Sequence, residues 1–147
     1  MEKRCHVLLV DDARDSREMY AFFLRAAGYA VHEATDGANA VAMAIELRPD
    51  VVVMDLTLPL LDGFAAIARL AEHPETADIP VVVLSAHTFP DDERRARAAG
   101  AAAFLAKPCH PDLLAREVRR VSERCDEAMA AVIPPSSAAP PAPIALS

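Results

Sequence analysis

The sequence predicts an α/β fold, a parallel sheet with helices on both faces, and three observations carry it. Short apolar runs rich in β-branched residues recur along the chain: Val7-Leu8-Leu9-Val10, Val51-Val52-Val53-Met54 and Val81-Val82-Val83-Leu84. Runs of this length and composition read as strands buried on both faces, which is the condition of a parallel sheet. Amphipathic stretches of helical length separate them, the alternation that builds βαβ units. Each run also ends abruptly on a polar residue: Asp11-Asp12, Asp55, Ser85 and, after a weaker strand at 102–106, Lys107.

In chain order, Asp15 with Glu18 three residues on is a capping-box arrangement for a first helix. Met19, Phe22, Phe23 and Ala26 follow the i, i+3, i+4, i+7 spacing of an inward face, and Gly28 ends the helix. Residues 30–35 form a short strand. Asp36-Gly37 turns into a second helix with Val41, Ala44, Ile45 and the Arg48 stem on one face, stopped by Pro49. After the strand at 51–54, a helix from about Gly63 directs Phe64, Ile67, Leu70 and Ala71 inward. The helix at 90–99 is polar, with Arg94, Arg95 and Arg97 exposed and only alanines to bury, so it should be the most mobile. The last helix, from about Pro111, carries Leu114, Val118, Val121 and Cys125 on one stripe that could run on through Met129 and Val132. Residues 134–147 (PPSSAAPPAPIALS) read as a disordered tail, because repeated prolines forbid helix and sheet ladders. The organisation expected is therefore one domain over 1–132 and a tail over 133–147.

Composition narrows the function. The 147 residues can bury a real core, and a net charge of −7 argues against nucleic acid as a direct partner, since phosphate contacts need clustered Lys and Arg. No apolar run is long enough to insert in a membrane or to form a signal-peptide core. Cys5, Cys109 and Cys125 are odd in number and widely spaced. They fit buried small hydrophobes in a reducing compartment better than disulfides, and the expected location is cytoplasmic.

In a parallel sheet every strand points the same way, so residues that follow the strands gather on one edge. Asp11, Asp12, Asp55, Ser85 and Lys107 therefore converge. Three carboxylates repel one another, and a hard divalent cation relieves this. An all-oxygen cluster without histidine or thiolate suits Mg²⁺. A metal beside a lysine and a hydroxyl is a receptor for a phosphoryl group, and a carboxylate with a free oxygen can act as its nucleophile.

These residues resemble a receiver domain of a two-component response regulator, of the single-domain chemotaxis type, over roughly residues 5–125. The resemblance implies a flavodoxin-like, doubly wound, five-stranded sheet of order 2-1-3-4-5. It implies that Asp55 is the phosphoacceptor, that Asp12, Asp55 and the Thr57 carbonyl bind Mg²⁺ directly, and that Asp11 acts mainly through water. Ser85 matches the switch hydroxyl, Phe104 the rotating aromatic, and Lys107 the family's lysine, whose bond to Pro108 is usually cis. Pro59 and Gly63 match the loop after the acceptor. Leu58, Cys109 and Ala101-Ala102 depart from the usual pattern without touching the chemistry. Read from its strand alone, Phe104 is a core residue. His87 could flank the phosphoryl group, Thr57 could tune water access, and the other histidines show no ligand spacing.

The function expected is a phosphorylation-controlled switch. It would take a phosphoryl group from the phosphohistidine of a sensor kinase or phosphotransfer protein and alter the surface around 86–107 for an unknown downstream protein. It would lose the group by slow hydrolysis and have no turnover substrate. A phosphate-independent interaction module is the alternative. A phosphatase of the haloacid-dehalogenase type is disfavoured, because that chemistry needs an acid two residues after the nucleophile, where Thr57 stands.

Overall fold

The computed structural model describes residues 4–58, 61–86, 89–122 and 125–127. Strands and helices alternate strictly: β1 (His6–Val10), α1 (Arg14–Ala26), β2 (Ala30–Ala34), α2 (Gly37–Leu47), β3 (Val51–Met54), α3 (Gly63–Glu72), β4 (Val81–Ser85), α4 (Pro90–Ala99), β5 (Ala103–Ala106) and α5 (Pro111–Val121). The strands form one parallel sheet of order β2-β1-β3-β4-β5. This is the order expected of the flavodoxin-like fold.

The period of two along each strand divides the core into two layers. Val7, Leu9, Val51, Val53, Val82 and Leu84 face α1 and α5, where Tyr20, Leu24, Leu114 and Val118 meet them. Leu8, Val10, Val52, Met54, Val81 and Val83 face the other way, against Ala40, Val41 and Ala44 of α2, Ala66, Ile67 and Leu70 of α3, and Ala96 of α4. The central strands are therefore apolar and buried on both faces over Val7–Val10, Val51–Met54 and Val81–Leu84, as their sequence suggested. Asp36 and Asp62 cap α2 and α3 by accepting from Asn39 N and Ala65 N.

The first helix departs from the expected pattern. Its N-cap is Ala13, without a side-chain cap, and Asp15 lies in the first turn. Its buried residues are Tyr20, Ala21 and Leu24, while Met19, Phe22 and Phe23 are exposed, Phe22 by 66%. The rotation has a polar cause. Arg17 on the sheet side pairs with Glu33 of β2 and donates to the Asp11 carbonyl, and the Tyr20 hydroxyl donates to the Cys109 carbonyl at 2.8 Å. Turning Phe22 and Phe23 inward would sacrifice these partners, and leaving buried groups unmatched costs about 1–3 kcal/mol each.

Three further corrections concern packing. Ala71 is exposed and Ile45 only half-buried, because α3 and α2 bury Ala66 and Ala40 instead. The polar α4 exposes Arg94, Arg95 and Arg97 and buries an alanine, as its sequence suggested, and buries Asp92 as well. Its acidic first turn suits the helix dipole, Ala96 is fully buried, and the Arg95 guanidinium lies 4.0 Å over the Phe64 ring. The last helix stops at Val121, where Ser122 turns extended, so Cys125 does not continue the α5 stripe. Cys125 is instead paired with Cys5 in a disulfide, against the expectation of three free thiols; only Cys109 is free. Pairing required residues 120 apart in sequence to meet, which spacing along the chain could not reveal. Met129, Val132, the tail, Pro59 and His87 lie outside the described residues.

The orientation of α1 is testable. Leu24→Ala should lower unfolding free energy by about 2–5 kcal/mol, and Phe22→Ser should change it by no more than about 0.5 kcal/mol, measured by urea unfolding. The reverse ranking would put the aromatic face inward.

Candidate functional site

Because the strands are parallel, their C-terminal ends form one edge, and the loops there carry the polar residues. Asp11 and Asp12 follow β1, Asp55 follows β3, Ser85 ends β4 and Lys107 follows β5. The Lys107 ammonium donates to Asp11 Oδ2 at 2.7 Å and to Asp55 Oδ2 at 3.3 Å. Both carboxylates are nearly out of water, Asp11 at 2% and Asp55 at 8% exposure, whereas Asp12 is exposed. Carboxylate oxygens of all three acids lie within 4.8 Å of one another.

Each of the two buried acids is held differently. Asp11 accepts from Ala13 N and Ser16 Oγ as well as from Lys107, so its oxygens are well occupied. Asp55 accepts from Thr57 N through Oδ1 and from Lys107 through Oδ2. Burial pushes the Asp55 carboxyl above its usual range, against the lowering effects of the Thr57 amide and Lys107, and Asp11 adds a smaller upward push. Desolvation therefore outweighs the carboxylate repulsion expected from sequence as the cause of this shift. Burial also disfavours the Lys107 charge, but its hydrogen bond to Asp11 and the two carboxylates together prevail and raise its pKa.

The backbone that carries these groups is tightly constrained. Gly63 N donates to the Leu56 carbonyl at 2.9 Å, and a Cβ on Gly63 would overlap the Asp55 carbonyl oxygen and Leu56 Cα. A side chain there would push the Asp55–Leu56 backbone away from α3. The Lys107–Pro108 bond is cis. Beyond it, Cys109 is clamped by Tyr20, whose hydroxyl donates to the Cys109 carbonyl and accepts from Cys109 N at 3.2 Å. Lys107 N donates to the Ser85 carbonyl, so the lysine loop is also tied to the end of β4.

Of the residues picked from sequence, Asp11, Asp55 and Lys107 are in direct contact, and Asp12 stands beside them. Ser85 is fully buried, Thr57 is exposed, and Phe104 on β5 is half-buried against the α2–α4 layer, opposite Val83 of β4. Ser16 and Tyr20 were missed. They lie four apart on α1, in phase with Leu24, so reading that face instead of the Phe22-Phe23 one would have found both. Among the histidines treated as structural, His110 caps α5 by accepting from Asp112 N, and His6 stacks on His32 with centroids 5.5 Å apart.

The raised Asp55 pKa fixes the sign of a pH effect. Between the unfolded and folded pKa values the native state binds more protons, so stability falls as pH rises through that window. Asp55→Asn removes the buried charge and leaves Lys107 its Asp11 partner. The variant should melt higher than wild type near neutrality, with the gain vanishing at about pH 4. A gain that grew on acidification would contradict the assignment of burial as the cause.

Residues 7–119 match the family model of the response regulator receiver domain. The chain is 36% identical over 120 residues to the DNA-binding dual master transcriptional regulator RpaA of Synechocystis, covering 82% of this chain and 50% of that protein. It spans half or less of the first curated relatives it matches. The solved chemotaxis protein CheY4 of Vibrio cholerae superposes with a TM-score of 0.76 at 33% identity, covering 80% of this chain and 98% of that one. The receiver domain of a sensor histidine kinase from Pseudomonas aeruginosa, solved with a magnesium ion coordinated in its active-site cleft, superposes with a TM-score of 0.75 at 32% identity, covering 80% and 96%. Sequence and fold thus agree over most of the chain, which belongs to the receiver domains of response regulators, the phosphorylation-controlled elements of two-component signalling.

Proposed function

We propose that Asp55 accepts a phosphoryl group from the phosphohistidine of a sensor kinase or phosphotransfer protein, with Mg²⁺ bound at the acidic edge, and that the modified domain presents an altered surface around 86–107 to a downstream protein. The observation that carries this reading is the Lys107 ammonium lying between the Asp11 and Asp55 carboxylates at the tips of three strands. In the transfer, an Asp55 carboxylate oxygen attacks phosphorus, the P–N bond breaks, and the imidazole leaves and takes up a proton. Lys107 is within reach of the Asp55 oxygens and would meet charge on the phosphoryl oxygens, while Thr57 N orients the carboxylate by holding Oδ1.

The donor set fits the metal. Three carboxylates within 4.8 Å supply only oxygen, as Mg²⁺ prefers, and an open edge leaves room for the waters it keeps. Asp12, exposed at the edge, and Asp55 would be the direct ligands, together with the Thr57 carbonyl. Asp11 already accepts three hydrogen bonds, which favours a role through water. Bound there, Mg²⁺ would neutralise charge on the acids and on the incoming phosphoryl oxygens.

The switch would run through Ser85 and Phe104. A phosphoryl group on Asp55 brings strong acceptor oxygens to the end of β4, and a hydrogen bond from the Ser85 hydroxyl would draw the following loop inward. Phe104 is already half-buried. Further inward rotation would therefore gain only part of the roughly 1.5–3 kcal/mol available for burying a whole ring, enough to bias a two-state population without saturating it.

With a small phosphodonor such as acetyl phosphate and Mg²⁺, intact-mass measurement should find one base-labile phosphoryl group on wild type and none on Asp55→Asn. Undiminished modification of that variant would remove Asp55 from the mechanism. Mg²⁺ should raise the melting temperature of wild type but not of Asp12→Ala; an equal rise in both would displace the metal ligands. Ser85→Ala should still be phosphorylated but lose most of the amide chemical-shift change across 86–107. The full wild-type shift pattern in that variant would uncouple Ser85 from the switch.

A further inference from the structure

Cys5 precedes β1 and Asp50 precedes β3, so both lie at the N-terminal edge of the sheet, opposite the acidic site. Beyond α5, Ser122 is extended. Cys125 N donates to Ser122 Oγ, and Asp126 N donates to the Ser122 carbonyl. Cys125 lies against Cys5 at this edge, with Cα atoms 4.9 Å apart and both residues wholly buried.

Among the described residues, this segment meets the apolar core through Cys125. Its charged contact, Arg119 with Asp126, is exposed on both sides and contributes little, and a cysteine side chain buries little area. The covalent bond ties Cys125 directly to Cys5, the residue before β1. The third cysteine is poorly placed to compete for it: Cys109 sits in the loop after β5, at the C-terminal edge of the sheet, and burial raises its thiol pKa.

We propose that Cys5 and Cys125 form a reversible redox site that staples the C-terminal segment to the sheet when oxidised and releases it when reduced. With a peroxide as oxidant, one thiolate attacks the peroxide oxygen, giving a sulfenic acid and one water. The second thiol displaces that oxygen as a second water, leaving the S–S bond; two electrons and two protons leave the thiols in all. A small dithiol reverses the reaction by exchange and becomes a disulfide itself. Oxidation requires the buried thiols to be uncovered. The Asp50 carboxylate lies within 4.8 Å of both sulfurs. The site supplies a second input, at the end of the sheet remote from Asp55.

The full chain, reduced with a dithiol and then treated with hydrogen peroxide, should become about 2 Da lighter and retain a single titratable thiol. Peptide mapping should join Cys5 to Cys125. Closing a loop across 120 residues should raise the melting temperature by about 10 °C over the reduced protein and slow amide exchange across 118–127. Cys109→Ser should keep both responses. Cys125→Ser should lose them while remaining folded, and because it lies after the last helix it tests the site even if Cys5→Ser fails to fold. Three thiols after peroxide, a bond that involves Cys109, or equal melting and exchange in the oxidised and reduced forms would overturn the proposal.

Discussion

Two carboxylates, on Asp11 and Asp55, lie almost out of water at the tip of the sheet, and one ammonium stands between them. Removing charge from water is costly unless each group is paired and its remaining lone pairs are satisfied. Lys107 meets the first condition for both acids at once. Ala13 N, Ser16 Oγ and Thr57 N meet the second. The balance is incomplete at Asp55, whose pKa stays raised by burial. The group left least comfortable is the one on which the proposed phosphoryl transfer would act.

Much of the surrounding architecture holds that ammonium in place. Lys107 comes from β5 at the margin of the sheet, whereas Asp11 and Asp55 follow adjacent strands near its centre. The lysine loop is tied to β4 by the bond from Lys107 N to the Ser85 carbonyl, and to α1 by the double contact of Tyr20 with Cys109. This demand on Tyr20 explains why α1 leaves Phe22 and Phe23 in solvent. On the Asp55 side, Gly63 lets α3 approach the Asp55–Leu56 backbone more closely than any side chain would allow.

The sheet is polar and charged at one edge and covalently closed at the other. Its interior is continuous apolar packing on both faces, which separates the two ends by the length of the strands. α5 spans the distance. It begins just beyond the Lys107 loop, and four residues after its end stands Cys125, bonded to Cys5.

Period and strand ends determined the fold class from the sequence alone. Three doubly buried strands with helices between them admit few arrangements, and parallel strands gather the residues at their tips. Asp11, Asp55 and Lys107 were therefore legible before any coordinates, because the chemistry depends on their order along the chain rather than on fine packing. What the tertiary structure decided was every choice between near-equal options. The spacing on α1 allowed an aromatic face or one centred on Tyr20, and hydrogen-bond partners 89 residues away selected the second. The stripe on α5 could have continued to Cys125, but α5 ends at Val121 with Ser122 extended, and Cys125 is bonded to a sulfur 120 residues away. Local periodicity records which residues can be buried together. It does not record which distant polar atom or thiol will be waiting when they are, and those long-range partners set the orientation of α1 and the course of the chain after α5.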